Sequence, residues 1–378
     1  METTSLVEIC AALLVLAGFI SLAIPVFTFQ LAPKTESPNE PETGFSIVVA
    51  FRNELNNLPA LYQSICSLNY PLHLIEWIVC NDHSTDGGKA WILEVQKTSP
   101  FPITYCENIE KTGKKAALHN AVKMASHETL FFTDADCILP ADLLQYLDKT
   151  IRQKNALLIA GPIAYTGNTS FLHHYQCMES AILMALTSSA FRNRQALMAN
   201  GANLCMKKSC FIEAQTLRND YNIAGGDDIF ALEAVMSKHP HDCIFMAAKE
   251  NMVLTRSENT WQSLLHQRTR WASKVRFQQH ISGKIWQLFS LLFALTYFTS
   301  ICLIPFIGWT LAGILVLGKA VSDSLFMMRI MPSFSYKINA IYLPVYSAVQ
   351  MFVVLYAGIR SQFGAYIWKD RKYFHNNN

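Results

Sequence analysis

Charged residues are scarce in this sequence. Asp, Glu, Lys and Arg make up 16% of its 378 residues, whereas apolar types reach 51%. Soluble domains average about 25% charged residues. The deficit therefore argues against a wholly soluble chain and indicates that part of it lies in lipid.

Several other features are missing. The formal net charge is only +3, and the sequence contains no long run of Lys or Arg, which argues against nucleic-acid binding. The ten cysteines form neither CxxC pairs nor Cys/His groups with zinc-like spacing, so neither a disulfide framework nor a structural zinc is indicated. We therefore expect reduced thiols in cytoplasm or membrane and no nucleic acid as a partner.

The first long apolar run, at residues 6–29, is long enough to span a hydrocarbon core of about 30 Å. A cleavable signal peptide is the alternative, but no Lys or Arg precedes the run and no small-residue cleavage site follows it. We expect an uncleaved transmembrane anchor over residues 1–31. A linker rich in Pro, Glu, Ser and Thr follows over residues 32–44.

Three further apolar runs lie near the other end of the chain, at about residues 285–306, 307–328 and 338–359. They predict about three transmembrane helices within residues 285–362, followed by a polar tail over residues 363–378.

Basic residues flank these runs and predict the topology. Lys34, Lys274, Arg276 and Lys284 place the soluble domain on the cytoplasmic side of a multi-pass protein of the cell membrane, by the positive-inside rule. Four crossings would leave the basic tail outside, so one of the last runs can instead be re-entrant or lie at the interface.

Two charged residues, Lys319 and Asp323, lie one helical turn apart inside the third run of the chain. Charges inside a membrane are costly and commonly functional. A neutralising structural pair that faces other helices is the alternative, and the sequence does not decide between the two.

Short apolar runs alternate with helical segments over residues 45–259. Strands are predicted at residues 45–51, 75–80, 103–106, 129–133 and 156–161, with helices at 58–68, 89–97 and 114–125. This alternation predicts an α/β domain with a mostly parallel sheet. The next segment, residues 260–284, predicts a basic amphipathic helix at a membrane surface, with Arg268 away from its apolar face.

Acidic residues follow two of the predicted strands. Asp134 and Asp136 come after one strand, and such carboxylates can hold Mg²⁺ against a diphosphate, although a solvated turn is the common alternative. Asp82 follows another strand, where Asp82 and Ser84 could simply cap the next helix. Because ligands bind at the carboxyl ends of strands in open α/β sheets, the two acidic ends together indicate a nucleotide pocket.

Separated motifs carry a family resemblance. They are SIVVAFRNE at residues 46–54, CNDHSTDG at 80–87, the DxD of Asp134 and Asp136, GDD at 226–228, and QRTRW at 267–271, which matches QxxRW. In this order the chain resembles the family 2 glycosyltransferases over about residues 45–275. It is most similar to their membrane-bound branch, which includes cellulose, chitin and hyaluronan synthases and ceramide glucosyltransferase.

The sequence also departs from the family pattern. Asn81 and His83 replace an aspartate and a glycine of the first turn, and GDD replaces the commoner TED or GED. These changes leave the key carboxylates in place. They separate the chain from the best-known synthases, so a substrate cannot be copied from those enzymes.

The resemblance implies a GT-A-like nucleotide-sugar domain and an inverting, metal-dependent transfer. The donor would be a nucleotide sugar, with UDP or GDP as the nucleotide, and the acceptor a lipid, a lipid-linked glycan or a growing polysaccharide beside membrane lipid. The implied roles are catalytic base for Asp228, with Asp227 second; Mg²⁺ or Mn²⁺ binding for Asp136 and Asp134; and substrate binding for Asp82, Glu54, Lys114, Lys115, Asp134, Gln267, Arg270 and Trp271. Residues 200–203 would border the acceptor.

Simpler interpretations exist for two of these groups. The acidic pair Asp227 and Asp228 also suits a helix N-terminus, since carboxylates favour that end of the helix dipole. QxxRW also suits an interfacial helix with Trp at the level of the lipid headgroups.

Other functions stay open at this point. The chain could be a membrane transporter or scaffold with an inactive sugar-nucleotide domain. Lys319 and Asp323 would then be its functional residues. It could also hydrolyse a nucleotide sugar without transferring the sugar. Among transferases, we expect single addition to a lipid or lipid-linked glycan rather than processive synthesis, because only about three spans follow the domain.

Overall fold

A computed structural model of the chain describes residues 40–109, 112–218, 225–281, 304–334, 336, 339–363, 366–368 and 371–373, with scattered positions between 283 and 302. The expected anchor at 1–31 lies outside the described residues, as do most of the linker at 32–44 and much of the run at 285–306. The described residues form two compact units. One comprises those within Gln30–Thr166 and Ala190–Arg256, and the other those within Gly167–Ser189 and Ser257–Asn378.

The first unit is built on a seven-stranded sheet with the order β3-β2-β1-β4-β7-β5-β8, and β6 and β9 form a separate pair. The strands are Phe45–Phe51 (β1), Ile75–Asn81 (β2), Ile103–Glu107 (β3), Thr129–Phe132 (β4), Leu158–Ala160 (β5), Ile163–Thr166 (β6), Leu204–Lys207 (β7), Cys243–Phe245 (β8) and Val253–Arg256 (β9). Within the seven-stranded sheet only β7 runs antiparallel to its neighbours, β4 and β5. The predicted α/β domain with a mostly parallel sheet is confirmed.

Helices connect these strands. They are Leu58–Cys66 (α1), Gly88–Val95 (α2), Lys114–Met124 (α3), Leu143–Lys154 (α4), Phe171–Arg192 (α5), Lys208–Arg218 (α6) and Asp227–Lys238 (α7). Helix α3 packs on β1 and β2 through Ala116, Ala117 and Ala121, whose small side chains allow the helix to approach the sheet closely. Strands β1 and β2 are buried almost throughout, which explains why their sequences are nearly continuous apolar runs.

The second unit is helical. Its elements are the first part of α5, Trp261–Ser273 (α8), Ile304–Ile330 (α9), Leu343–Phe363 (α10) and the antiparallel strands Tyr366–Trp368 (β10) and Arg371–Tyr373 (β11). Helix α10 packs against both α8 and α9. Tyr175 of α5 is buried between the rings of Trp261 and Tyr346. The segment Gly167–Ser189 therefore groups with the C-terminal helices, which interrupts the stretch 45–259 expected to form one continuous domain.

The described helices of the C-terminal half bear on two predictions. The amphipathic helix expected over 260–284 ends at Ser273, because the backbone then tightens into a 3₁₀ turn at Val275–Phe277. About three transmembrane helices were expected within 285–362, and much of the first of them, at 285–306, lies outside the described residues. In the part of the chain that the structure describes, two segments are long and apolar enough to cross a bilayer. They are Gly308–Phe334, which contains most of α9, and Ala340–Gln362, which contains most of α10.

Candidate active site

The loops that follow β1 and β2 are joined by hydrogen bonds. The Arg52 guanidinium donates to the carbonyl oxygens of Asp82 and His83 at 3.2 and 3.3 Å. The backbone amide of Leu55 donates to the Asp86 carboxylate at 2.7 Å. In the strand order, β1 lies between β2 and β4, so the order reverses between β1 and β4 and the loop after β1 borders that point, which is the usual ligand crevice of an open α/β sheet.

Asp82 occupies this crevice as a buried acceptor. One of its carboxylate oxygens accepts hydrogen bonds from the Asn108 side-chain amide and from the backbone amide of Gly113, both at 3.0 Å. At the start of α2 it is Asp86 that accepts from the backbone amide of Gly88, at 3.0 Å, while Ser84 accepts from the loop after β1. The capping interpretation of Asp82 and Ser84 is therefore wrong in the described geometry.

Lys114, the first residue of α3, lies among acidic side chains. Its ammonium is 2.6 Å from a carboxylate oxygen of Asp134 and 4.0 Å from one of Asp227. Asp228 joins the same cluster, since its carboxylate accepts from the backbone amide of Gly201 at 3.2 Å. A Cβ at Gly201 would lie 3.5 Å from the Lys114 ammonium and 3.6 Å from Asp228, at ordinary van der Waals contact, so Gly201 borders these charged groups. We call these five residues the acidic cluster.

The charges of the acidic cluster act on Lys114. Burial alone would lower the pKa of Lys114, but the neighbouring carboxylates of Asp134, Asp227 and Asp228 outweigh burial and raise it above its usual value. The ammonium therefore keeps its charge at physiological pH. Three carboxylates face this one ammonium, so the cluster keeps a negative balance that suits a cation.

Asp136 lies beside the acidic cluster at the end of β4. Its carboxylate accepts a hydrogen bond from the Thr255 hydroxyl at 3.3 Å. Burial, with the nearby charges of Asp136 and Asp134, raises the pKa of the Cys137 thiol well above its ordinary value, so this thiol stays neutral.

The donor atoms around Asp134 and Asp136 fit Mg²⁺ or Mn²⁺. Across the described ranges, no group of three or more His, Cys, Asp or Glu side chains is placed to hold a metal ion. A nucleotide-associated Mg²⁺ takes one or two protein carboxylates and completes its octahedron with phosphate oxygens and water. Two carboxylates therefore suffice for a metal that arrives with a diphosphate.

Glu54 and Lys115 make contacts different from those of the acidic cluster. The Glu54 carboxylate accepts from the Asn57 side chain at 2.6 Å, just before α1. The Lys115 side chain is buried, and its ammonium lies 4.7 Å from the centre of the Phe230 ring. The Lys114 ammonium, in comparison, lies 2.6 Å from Asp134 and 4.0 Å from Asp227.

The QxxRW motif lies on α8 of the helical unit. Gln267, Arg270 and Trp271 are half-buried, whereas Arg268 between them is buried. The prediction that Arg268 lies away from the buried face is wrong, because Glu179 of α5 accepts from its guanidinium and neutralises it.

Sequence reasoning missed three residues of these sites. Asn108 and Glu179 carry no motif, and Gly201 was noted only as part of 200–203 at the acceptor. Their partners are distant in sequence; for example, Arg268 and Glu179 are 89 positions apart. A single sequence offers no signal that would pair them.

Two family models match the chain. The model described as glycosyl transferase family 2 matches residues 46–213, and the one described as glycosyl transferase family group 2 matches residues 130–356, more than half of the chain. This chain belongs to glycosyltransferase family 2. The motif-based resemblance is thereby confirmed, and the acidic cluster lies in an enzyme domain of known class.

Relatives of this family 2 glycosyltransferase include bacterial polysaccharide synthases. It is 28% identical over 150 residues to the poly-beta-1,6-N-acetyl-D-glucosamine synthase of Staphylococcus epidermidis, covering 39% of this chain and 35% of the synthase. The enzyme of the same name from Staphylococcus aureus strain MSSA476 is 25% identical over 142 residues, covering 37% of this chain and 34% of that one. The matched segment thus spans about a third of these relatives.

A solved structure shares the fold over nearly the whole chain. It is a mannosyltransferase from Pyrobaculum calidifontis in complex with GDP-Man and Mn²⁺, which superposes with a TM-score of 0.61 at 16% identity. The superposition covers 94% of this glycosyltransferase and 99% of the mannosyltransferase. The likeness supports the GT-A-like fold of the first unit.

Proposed function

We propose that this glycosyltransferase moves a sugar from a UDP- or GDP-linked donor to a glycan acceptor at the cytoplasmic face of a membrane, with inversion at the anomeric carbon. The observation that carries the proposal is the acidic cluster, in which Lys114 lies between Asp134 and Asp227 at the carboxyl end of the sheet. A cation-binding carboxylate, a phosphate-binding ammonium and a candidate base thus share one site.

The donor would bind along the strand ends. Asp82 would hold the nucleoside, and the Lys114 ammonium would contact the diphosphate. The hydrogen bond from the backbone amide of Gly113, the residue before Lys114, to the Asp82 carboxylate supports this arrangement. Gly113 has φ = 111°, a left-handed conformation that side-chain-bearing residues rarely adopt, so the loop is specific for glycine.

Asp134 and Asp136 would hold Mg²⁺ or Mn²⁺ against the diphosphate, with Glu54 as a further donor-side residue. Such a metal would stabilise the charge that builds on the leaving nucleoside diphosphate. Lys114 acts on the same charge and remains protonated, since the neighbouring carboxylates raise its pKa.

Asp228 is the proposed general base. As the acceptor oxygen bonds to the anomeric carbon, the bond to the diphosphate breaks and the hydroxyl proton passes to the Asp228 carboxylate, a step that contributes about 10²–10⁴ in rate. Asp227 is the second candidate, because its carboxylate lies 4.0 Å from the Lys114 ammonium and forms an ion pair with it. Both residues begin α7, so a helix N-terminus and a catalytic role coexist here.

Substrate binding is also the role proposed for Gln267, Arg270 and Trp271. Arg270 would contact the diphosphate, where a guanidinium can bind two oxygens at once. Trp271 would stack on the acceptor sugar. This proposal rests on the family motif and on the half-buried state of the three side chains.

Helix α9 supports a membrane location. It exposes Leu317, Val321 and Leu325 with 66%, 57% and 59% of their surface accessible, and it buries Lys319 and Asp323 with 6% and 4% accessible. A helix in water has the opposite arrangement, with its charges outside. Apolar residues outside and charges inside are expected for a helix surrounded by lipid.

The Lys319–Asp323 pair has a structural explanation. Asp323 accepts from both Lys319 and the Ser347 hydroxyl of α10, so the pair joins α9 to α10. This contact favours the neutralising pair over a transport site, and it weakens the proposal of a transporter or scaffold.

The relatives inform the choice of acceptor. Two of them are named as synthases of a poly-N-acetylglucosamine, which favours a growing polysaccharide over the lipid or lipid-linked acceptor expected from the number of spans. We therefore propose a polysaccharide acceptor, with a lipid-linked glycan as the second candidate.

A donor panel tests the proposal. The full-length protein in lipid nanodiscs is incubated with UDP- and GDP-sugars and Mg²⁺ or Mn²⁺, and nucleoside diphosphate release is measured with and without glycan primers. We expect one donor class to give release that rises with primer. Release independent of primer would indicate hydrolysis, and no release with any donor would favour the scaffold.

A further inference from the structure

Arg268 and Glu179 form a buried ion pair beneath the QxxRW motif. The Glu179 carboxylate accepts from both the Nε and the Nη2 atoms of Arg268, the former at 2.8 Å. The side chains are 6% and 7% exposed, so water contributes little to their solvation. A buried guanidinium requires such a partner, because an unpaired charge in the interior is strongly unfavourable.

The same guanidinium contacts two side chains of the motif. Its Nη1 atom donates to the Gln267 side-chain oxygen. Its central carbon lies 4.2 Å from the centre of the Trp271 ring, within the range of a cation–π contact. One buried residue thus reaches two of the three side chains proposed to bind substrate.

Gln267 is held from its other end as well. Its amide nitrogen donates to the Glu258 carboxylate at 3.0 Å. The backbone of Glu258 is fixed in turn by the buried Gln176, which accepts from its amide at 2.8 Å and donates to its carbonyl at 3.0 Å. Gln176 and Glu179 lie three positions apart on α5, so one helix face supports both contacts.

We propose that Arg268, anchored by Glu179, is a positioning residue that fixes the orientations of Gln267 and Trp271 for substrate binding. The proposal rests on the proposed role of these two residues in transfer. Arginine suits the task because its planar group donates in several directions and stacks on a ring. Lysine at this position would keep the charge toward Glu179 but lose the flat contact with Trp271.

Trp271 fluorescence tests the positioning without any turnover. Acrylamide quenching is measured for the intact protein and for Arg268→Lys, and the signal of the matching Trp271→Phe protein is subtracted from each. We expect the quenching constant of Trp271 to rise about twofold or more in Arg268→Lys, because the cation no longer covers the ring. An unchanged constant overturns the proposal.

The chain offers a matched control and a second variant. Arg276 also lies over an aromatic ring, that of Phe277 at 4.6 Å, but it is exposed and outside the motif. Arg276→Lys should leave Trp271 quenching unchanged. Glu179→Gln should increase quenching as Arg268→Lys does, since the anchor is lost. If Arg276→Lys has the larger effect, the quenching reflects general loosening and the proposal fails.

Kinetics distinguish positioning from a merely structural role. The kinetics use the donor and primer that give transfer. Arg268→Lys alone should lower kcat/KM by about 10-fold. In a protein in which Gln267 and Trp271 are already alanine, the same substitution should lower kcat/KM by less than about threefold. Equal losses in both backgrounds overturn the proposal. If the intact protein transfers no sugar, the proposed function fails, and the quenching experiment still decides the role of Arg268.

Discussion

Lys114 links the start of α3 to the end of β4, because its ammonium lies 2.6 Å from a carboxylate oxygen of Asp134. Both residues are at the carboxyl end of the parallel strands, where ligands bind in open α/β sheets. The ammonium and a divalent cation are alternative partners for the same carboxylate. Nucleotide binding should therefore depend on Lys114.

Replacing Lys114 should weaken diphosphate binding. We expect Lys114→Met to raise the dissociation constant of the preferred nucleoside diphosphate by about 10- to 100-fold, since one charge-assisted hydrogen bond is lost. Calorimetric titration measures this directly. Lys115→Met is the matched control, because the Lys115 ammonium lies over Phe230 and should affect stability more than binding. Equal losses of affinity in the two variants would contradict the assignment of Lys114.

The charge on Lys114 should persist at alkaline pH. Its folded pKa is raised above the usual 10.5, so its contribution to stability is fully present below that pH and is lost only as the pH rises through the folded pKa. Between about pH 7 and about pH 10, nucleotide affinity should show the same pH dependence in the intact protein and in Lys114→Arg. An affinity that falls near about pH 8–9 in the intact protein alone would contradict a raised pKa.

Asn108 should stabilise the position of Asp82 in the proposed nucleotide site. Its side-chain amide donates to Asp82 at 3.0 Å and to the Gly113 carbonyl at 3.3 Å. Asn108→Asp places a second carboxylate beside Asp82, so we expect nucleotide affinity to fall by about 10-fold or more. Asn120→Ala removes the hydrogen bond to the Asn108 side-chain oxygen but leaves the Asn108 contact with Asp82 in place, so it should change affinity less than Asn108→Asp does. Unchanged affinity in Asn108→Asp would show that Asp82 takes no part in donor binding.

The Lys319–Asp323 pair should behave as a structural unit. Lys319→Leu leaves Asp323 buried without its cation, which costs about 3–5 kcal/mol. Lys319→Leu with Asp323→Leu should recover most of this loss, measured as the melting temperature in detergent. A stable double variant that loses transfer activity would instead assign the pair a functional role.

The sequence predicts the sheet well where burial produces continuous apolar runs. The bounds of β1 agree with the prediction, and β2 extends it by one residue, to Asn81. The acidic strand ends and QxxRW were also recognisable, because each is a short local pattern. The acidic cluster itself was not, since Lys114 and Asp227 are far apart along the chain and meet only through the sheet topology.

The helical unit was harder to predict. The residues of α5 up to Ser189 belong with the C-terminal helices. The sequence of α5 does not predict this, because an apolar helical pattern does not specify which surface the helix packs against. Arg268 was placed with the polar residues for a similar reason. Its buried partner Glu179 is distant in sequence, and a charged residue is expected at the surface unless such a partner is known.

The comparison of sugar incorporation by the intact protein and by Asp228→Asn decides whether Asp228 is the general base of a transferase. Both proteins are placed in nanodiscs with the donor that gives the strongest release, and labelled product is quantified at equal nucleotide occupancy, with Asp227→Asn as the comparison. We expect Asp228→Asn to bind the nucleotide normally but to lose about 10²-fold or more of its transfer rate, and Asp227→Asn to lose less. Undiminished transfer by Asp228→Asn would contradict this role.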